Sequence, residues 1–143
     1  MYDKFEVNLE LKNDKLLFRG NSRDNHDISM DYFPPLGDGN GYTGLELLLM
    51  SFAGCSSTSV IYLLRKMGKN IRGMRASASG IKREEMPKAF REIRITYYIN
   101  SADANESDVR KALTLSEESV CPVWSMIKGN VDIHTEIEIS AEP

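Results

Sequence analysis

The sequence predicts an α+β domain with mainly antiparallel strand pairing, built around one long, central, buried helix. Three observations lead to that class. Apolar and polar residues alternate with a period of two in the first third of the chain and again in two later segments. A continuous apolar stretch over residues 45–64 carries helix punctuation at both ends. Strands come first, then this helix, then further strands around shorter helices, an order that does not suit a regular parallel sheet. The 143 residues suffice for one domain with a real core, and residues 1–143 hold no internal repeat, low-complexity tract or linker.

Phe5, Val7, Leu9 and Leu11 alternate with polar residues and predict the first strand. Residues 12–15 (Lys-Asn-Asp-Lys) offer a turn, and residues 16–20 lead back. Ile28, Met30 and Tyr32 give a third short strand, which Pro34-Pro35 and the glycines up to Gly41 bring to an end. Thr43-Gly44-Leu45-Glu46 then has the form of a capping box, in which a hydroxyl and a carboxylate satisfy the exposed N–H groups of a helix start. Apolar residues surround most of the first turns of this helix, as expected for burial on several sides. Arg65 and Lys66 complement the negative end of its dipole, and Gly68 is placed to cap it.

Residues 71–83 alternate weakly through Met74, Ala76, Ala78 and Gly80, small side chains that predict close packing by another element. Residues 84–88 form a turn, and Ile93, Ile95, Tyr97 and Ile99 mark the next strand. A second helix is expected from Glu106 to Ser119, with Val109, Ala112, Leu113 and Ser116 on one face. A third runs from Pro122 to Lys128 and ends at Gly129; Val131, Ile133, Ile137 and Ile139 form the last strand. A sheet of this size covers one face of the long helix, so homodimerisation around that helix is expected.

Composition narrows the function. A net charge of −3 favours neither nucleic acid nor an anionic membrane surface. The start Met1-Tyr2-Asp3-Lys4-Phe5 lacks the pattern of a signal peptide, which predicts a cytoplasmic protein. Residues 45–64 are long enough to span a bilayer, but Glu46 and the cluster Ser56, Ser57, Thr58 and Ser59 suit a core helix better. His26 and His134 are isolated and each cysteine is locally alone, so no metal site is expected. Gly37-Asp38-Gly39-Asn40-Gly41 lacks the Lys-Ser/Thr ending of a phosphate-binding loop and reads as a plain loop.

The two cysteines, Cys55 and Cys121, remain as the chemistry-bearing residues. In a reducing compartment such a pair is catalytic, redox-sensing or merely buried. Cys121 precedes Pro122 at a helix start, where backbone N–H groups and the dipole favour a thiolate and a lowered pKa. Cys55 lies mid-helix among apolar side chains, where burial disfavours the thiolate. Gly54 beside it weakens the helix, which points to a close backbone approach or to access beside the sulfur. Glu46, nine residues before Cys55, is accounted for by the capping box and reaches the thiol only through a bend or across a dimer.

The run Gly44-Leu45-Glu46-Leu47-Leu48-Leu49-Met50-Ser51-Phe52-Ala53-Gly54-Cys55, continued to Lys69, resembles the OsmC/Ohr family of thiol-dependent peroxidases. So does Glu117-Glu118-Ser119-Val120-Cys121-Pro122-Val123, in register with the first motif. The resemblance implies an intertwined homodimer with Cys55 as peroxidatic and Cys121 as resolving cysteine, and with Glu46 as the only nearby carboxylate for a supporting role. It further implies a peroxide substrate, organic hydroperoxides ahead of hydrogen peroxide. The disulfide would be reduced by an external dithiol such as a lipoylated protein, and no metal or flavin would be needed. The family's hydroperoxide reductases carry a glutamate ten residues before the first cysteine, after a proline, where this chain has Leu45 and Gly44. They also carry an arginine near the first hairpin turn; here Lys12 and Lys15 stand there, and the first arginines are Arg19 and Arg23. The chain thus resembles a divergent branch. The alternative is a non-enzymatic, dimeric small-molecule-binding or redox-sensing protein, to be told apart by whether the two sulfurs lie within disulfide reach.

Overall fold

The computed structural model describes residues 3–143, so Met1 and Tyr2 of the N-terminal reading lie outside the described residues. The chain divides into two compact units, Met1–Leu48 and Leu49–Pro143.

In the first unit β1 (Asn8–Leu11) and β2 (Phe18–Asn21) form the expected hairpin, and β3 (Ile28–Met30) adds antiparallel to β2. The first strand is shorter than its alternation suggests, and Phe5 and Val7 lie exposed before it. The glycine-rich loop that follows is tied to one carboxylate. Asp31, 5% exposed, accepts the Tyr32, Asn40 and Asp38 amides at 2.8, 3.0 and 3.3 Å. These bonds, that of Asn40 first, hold its carboxyl below the usual range. Gly37 runs so close to the Tyr32 carbonyl and the Asp31 carboxylate that a Cβ would not fit. At the start of the long helix α1 (Gly44–Lys66) the capping box forms. The Thr43 amide donates to Glu46 Oε1 at 2.8 Å, and the Glu46 amide donates to Thr43 Oγ1 at 3.2 Å.

The second unit holds the rest of α1 and the sheet of β4 (Gly73–Lys82), β5 (Phe90–Asn100) and β6 (Asp132–Ser140). β5 is central and alternates as read from the sequence, burying Ile93, Ile95, Tyr97 and Ile99. The small residues of β4 stand opposite its bulky ones: Ala76 beside Tyr97, Ala78 beside Ile95 and Gly80 beside Ile93. At Gly80 the predicted close packing is real, because the Phe90 ring occupies the space of a Cβ. β6 pairs parallel to β5 while the other three strand pairings are antiparallel. Parallel pairing needs a long crossover, and the helical segment between Asn100 and Asp132 supplies it.

α1 is buried less widely than expected. Phe52, Ser56, Ser59, Val60 and Leu64 form one buried stripe, whereas Met50 and Tyr62 are exposed. Its length and a mean hydropathy of 1.7 would suit a bilayer, yet the stripe packs as a core helix does. The helix ends as predicted at Gly68 (φ 80°), with Lys69 N–H on the Leu64 carbonyl and Gly68 N–H on the Arg65 carbonyl.

The second helix covers its expected span but changes geometry within it. α2 (Glu106–Leu115) starts on a box formed by Asn105 and Asp108, and buries Val109, Ala112 and Leu113. Residues Ser116–Val120 carry the helix past Ser119, widened into a π-helical turn. The Cys121 amide reaches back five residues to the Ser116 carbonyl at 2.8 Å. Pro122 explains the stop: it disfavours helical geometry at the preceding residue, and Cys121 is extended (φ −80°, ψ 110°). α3 (Pro122–Ile127) then begins on the proline.

Candidate active site

Both thiols belong to the second unit, one on α1 and one at the N-cap of α3. Cys55 is half-buried; Cys121 is 2% exposed. They are free thiols, and Cys55 acts on the ionisation of Cys121, raising its pKa. Residues separated by 66 positions in the chain are thus brought within electrostatic range.

Cys121 caps α3 as predicted, with the Trp124 amide donating to its Sγ at 3.4 Å. The expected fall in its pKa does not follow. Burial pushes the Cys121 thiol up; the Trp124 amide opposes this, and the neighbouring Cys55 adds to it. A helix start of six residues does not compensate a nearly closed site.

The helix around Cys55 is tied by its own hydroxyls. Thr58 Oγ1 donates to the Gly54 carbonyl at 2.8 Å and Ser59 Oγ to the Cys55 carbonyl at 3.1 Å. Gly54 has no close backbone neighbour, since a Cβ there would meet nothing within 4 Å. Within one chain no neighbour approaches this glycine, and a side chain there would enter open space on the turn that carries Cys55.

Four further residues surround the pair that the sequence did not single out. The Phe52 and Trp124 rings meet edge to face, centroids 5.2 Å apart, and join α1 to α3. Ser56 and Tyr97, both fully buried, share a hydroxyl–hydroxyl bond of 2.7 Å between α1 and β5. Burial, chiefly, raises the Tyr97 pKa to about 12. A tyrosine on the inward face of a strand needs a partner for its hydroxyl, and a serine cluster in an apolar helix offers one; together these were the available signal.

Glu46 sits in the first turn of α1 within the first unit, one carboxylate oxygen taken by the Thr43 amide. The two lysines near the hairpin turn are also paired, Lys12 with Glu10 at 3.0 Å and Lys15 with Asp38 at 2.7 Å. No group of three metal-ligating side chains occurs among the described residues.

A sequence model of the OsmC-like protein family matches residues 37–136. Protein YhfA of Escherichia coli is 30% identical over 126 residues, 88% of this chain and 92% of its own. The fold is similar to that of a hypothetical protein from Aquifex aeolicus, with TM-score 0.85, 28% identity and 99% of each chain covered. It is also similar to an organic hydroperoxide resistance protein, OsmC, from Legionella pneumophila. There the TM-score is 0.75 at 13% identity, with 96% of this chain and 98% of that one covered, a likeness of fold alone.

Proposed function

The chain belongs to the OsmC-like protein family, and from that premise we propose that it is a thiol-dependent peroxidase acting on organic hydroperoxides ahead of hydrogen peroxide. One observation carries the reading: Cys55 on α1 raises the pKa of Cys121 at the N-cap of α3, so the two thiols stand within electrostatic range of each other. Exposure then orders their roles. Cys55, the more open of the two, meets the peroxide, while the buried, weakly acidic Cys121 waits as a thiol.

In this scheme the Cys55 thiolate attacks a peroxide oxygen and the O–O bond breaks. The departing alkoxide takes a proton and leaves as the alcohol, and Cys55 becomes a sulfenic acid. Cys121 attacks that sulfur, an S–S bond forms, and the hydroxyl of the sulfenic acid leaves as water with the Cys121 proton. The two electrons lost by the pair reduce the peroxide, and an external dithiol, such as a lipoylated protein, returns them. Glu46 is the carboxylate available for a supporting role, and no metal or flavin enters the cycle. A second copy of the chain would cover the exposed side of α1, where Met50 and Tyr62 lie, giving a cytoplasmic homodimer. Sulfurs beyond disulfide reach would favour the binding-protein alternative; the influence of Cys55 on the ionisation of Cys121 supports the redox reading instead.

Intact-mass analysis after one equivalent of cumene hydroperoxide, with hydrogen peroxide in parallel, tests the proposal. A rapid loss of two hydrogens per chain is expected, faster with the organic peroxide. An unchanged mass with both peroxides would overturn it.

A further inference from the structure

The Ser56–Tyr97 pair has no part in the scheme above, yet it is completely buried and directly attached to the thiol site. Ser56 follows Cys55 in α1, and its Oγ also reaches back to the Ala53 carbonyl at 3.4 Å. With the Ser56 proton on that carbonyl, the Tyr97 O–H donates into the short 2.7 Å contact. Tyr97 in turn sits at the centre of β5, flanked in register by Ala76 and Ile137, with no exposed surface through which to move. A buried hydroxyl–hydroxyl bond therefore ties the sheet to the thiol-bearing turn of α1.

We propose that Tyr97 is a positioning residue for the thiol pair: its hydroxyl holds Ser56, and through Ser56 the turn that sets Cys55 against Cys121. The inference deepens the redox reading of the two cysteines and rests on it. Burial keeps Tyr97 protonated far above neutrality, so the donor is present throughout the working range. A charge on Cys121 makes Tyr97 still harder to ionise, which places the phenol in the electrostatic range of the second thiol as well. Ser56 belongs to the helix and Tyr97 to the sheet, so their bond fixes the rotation of one against the other at the level of the chemistry.

The test is the equilibrium between the reduced chain and its Cys55–Cys121 disulfide in dithiothreitol buffers. There the two thiols give two hydrogens to oxidised dithiothreitol, which becomes the dithiol. The disulfide fraction is read by mass after acid quench for wild type, Tyr97→Phe, Ser56→Ala and the double variant. Each single variant should lower the equilibrium constant for disulfide formation about five-fold, the weight of one buried hydrogen bond. The double variant should lower it no further, because both substitutions remove the same bond. Constants within about two-fold of wild type in both single variants, or losses that simply add in the double variant, would overturn the proposal. Thermal unfolding separates a merely structural role, which would lower Tm and leave the constant unmoved. A wild-type chain that closes the disulfide in this buffer but ignores both peroxides would sink the peroxidase reading alone. Intact peroxide turnover with unmoved constants would remove only the role given to Tyr97.

Discussion

Phe52 and Trp124 meet edge to face at 5.2 Å between ring centroids, and each lies three residues from one of the two thiols. The ring contact thus joins the turn of α1 that carries one thiol to the start of α3 that carries the other. Both rings are nearly or fully buried, so the contact fixes the helix-to-helix distance on which the sulfur-to-sulfur distance depends.

Trp124→Ala should cost about 3–5 kcal/mol in urea unfolding, the range for deleting a buried aromatic side chain. Trp124→Phe, which keeps a ring against Phe52, should cost clearly less. Trp124 is also the sole tryptophan, so its emission should change when the pair is oxidised and stay constant in Cys55→Ser.

Cys55→Ser should abolish peroxide consumption, followed as residual hydroperoxide over time. Cys121→Ser should consume peroxide without closing a disulfide and accumulate chains heavier by one or two oxygen atoms at Cys55. Consumption by Cys55→Ser at the wild-type rate would show that the first attack lies elsewhere.

The raised Cys121 pKa has a definite sign. The folded state holds this proton more tightly than the unfolded chain. Its contribution to stability is therefore full below the ordinary thiol range and is lost as pH rises through the raised value. Disulfide closure, which uses the Cys121 thiolate, should in turn accelerate as pH climbs toward that value. Stopped-flow Trp124 emission after a fixed peroxide pulse measures it, and a closure rate flat from neutral to alkaline pH would contradict the shift.

The carboxyl of Asp31 is shifted the opposite way, held low first by the Asn40 amide. Its contribution is present above the ordinary carboxylate range and is lost as pH falls through the lowered value. Asp31→Asn leaves three amides to share one carbonyl oxygen. Hydrogen exchange should speed up at the Asn40 and Asp38 amides and stay unchanged at Trp124.

The parts of the fold legible in the sequence are those written locally. Thr43 and Glu46 announced the start of α1, Gly68 its end, and Ile93 to Ile99 the central strand, because caps and period-two alternation are local properties. The parallel partner of β5 was not legible, since nothing in Val131–Ile139 records which neighbour it will find. The site divided in the same way. Cys121 was placed correctly at its cap, but its pKa direction came out reversed, because burial is a tertiary effect that overrides the helix start. Tyr97 could be read as a core position and no more, as its hydroxyl has a purpose only once Ser56 lies across from it.

The π-helical turn before Cys121 carries one residue more than an α-helical turn would need. That surplus is slack in the chain at this point. Removing a single residue such as Glu118 would let the turn close in α-geometry on the same Ser116 carbonyl and leave Cys121 in place, whereas removing one from the regular turns of α2 would swing Cys121 by about 100° around the helix axis. In the latter case both cysteines would still be encoded, yet the second sulfur would point away from the first. A relative that keeps both cysteines but lacks this one-residue surplus should therefore still close the bond, whereas one shortened within the regular turns of α2 should not.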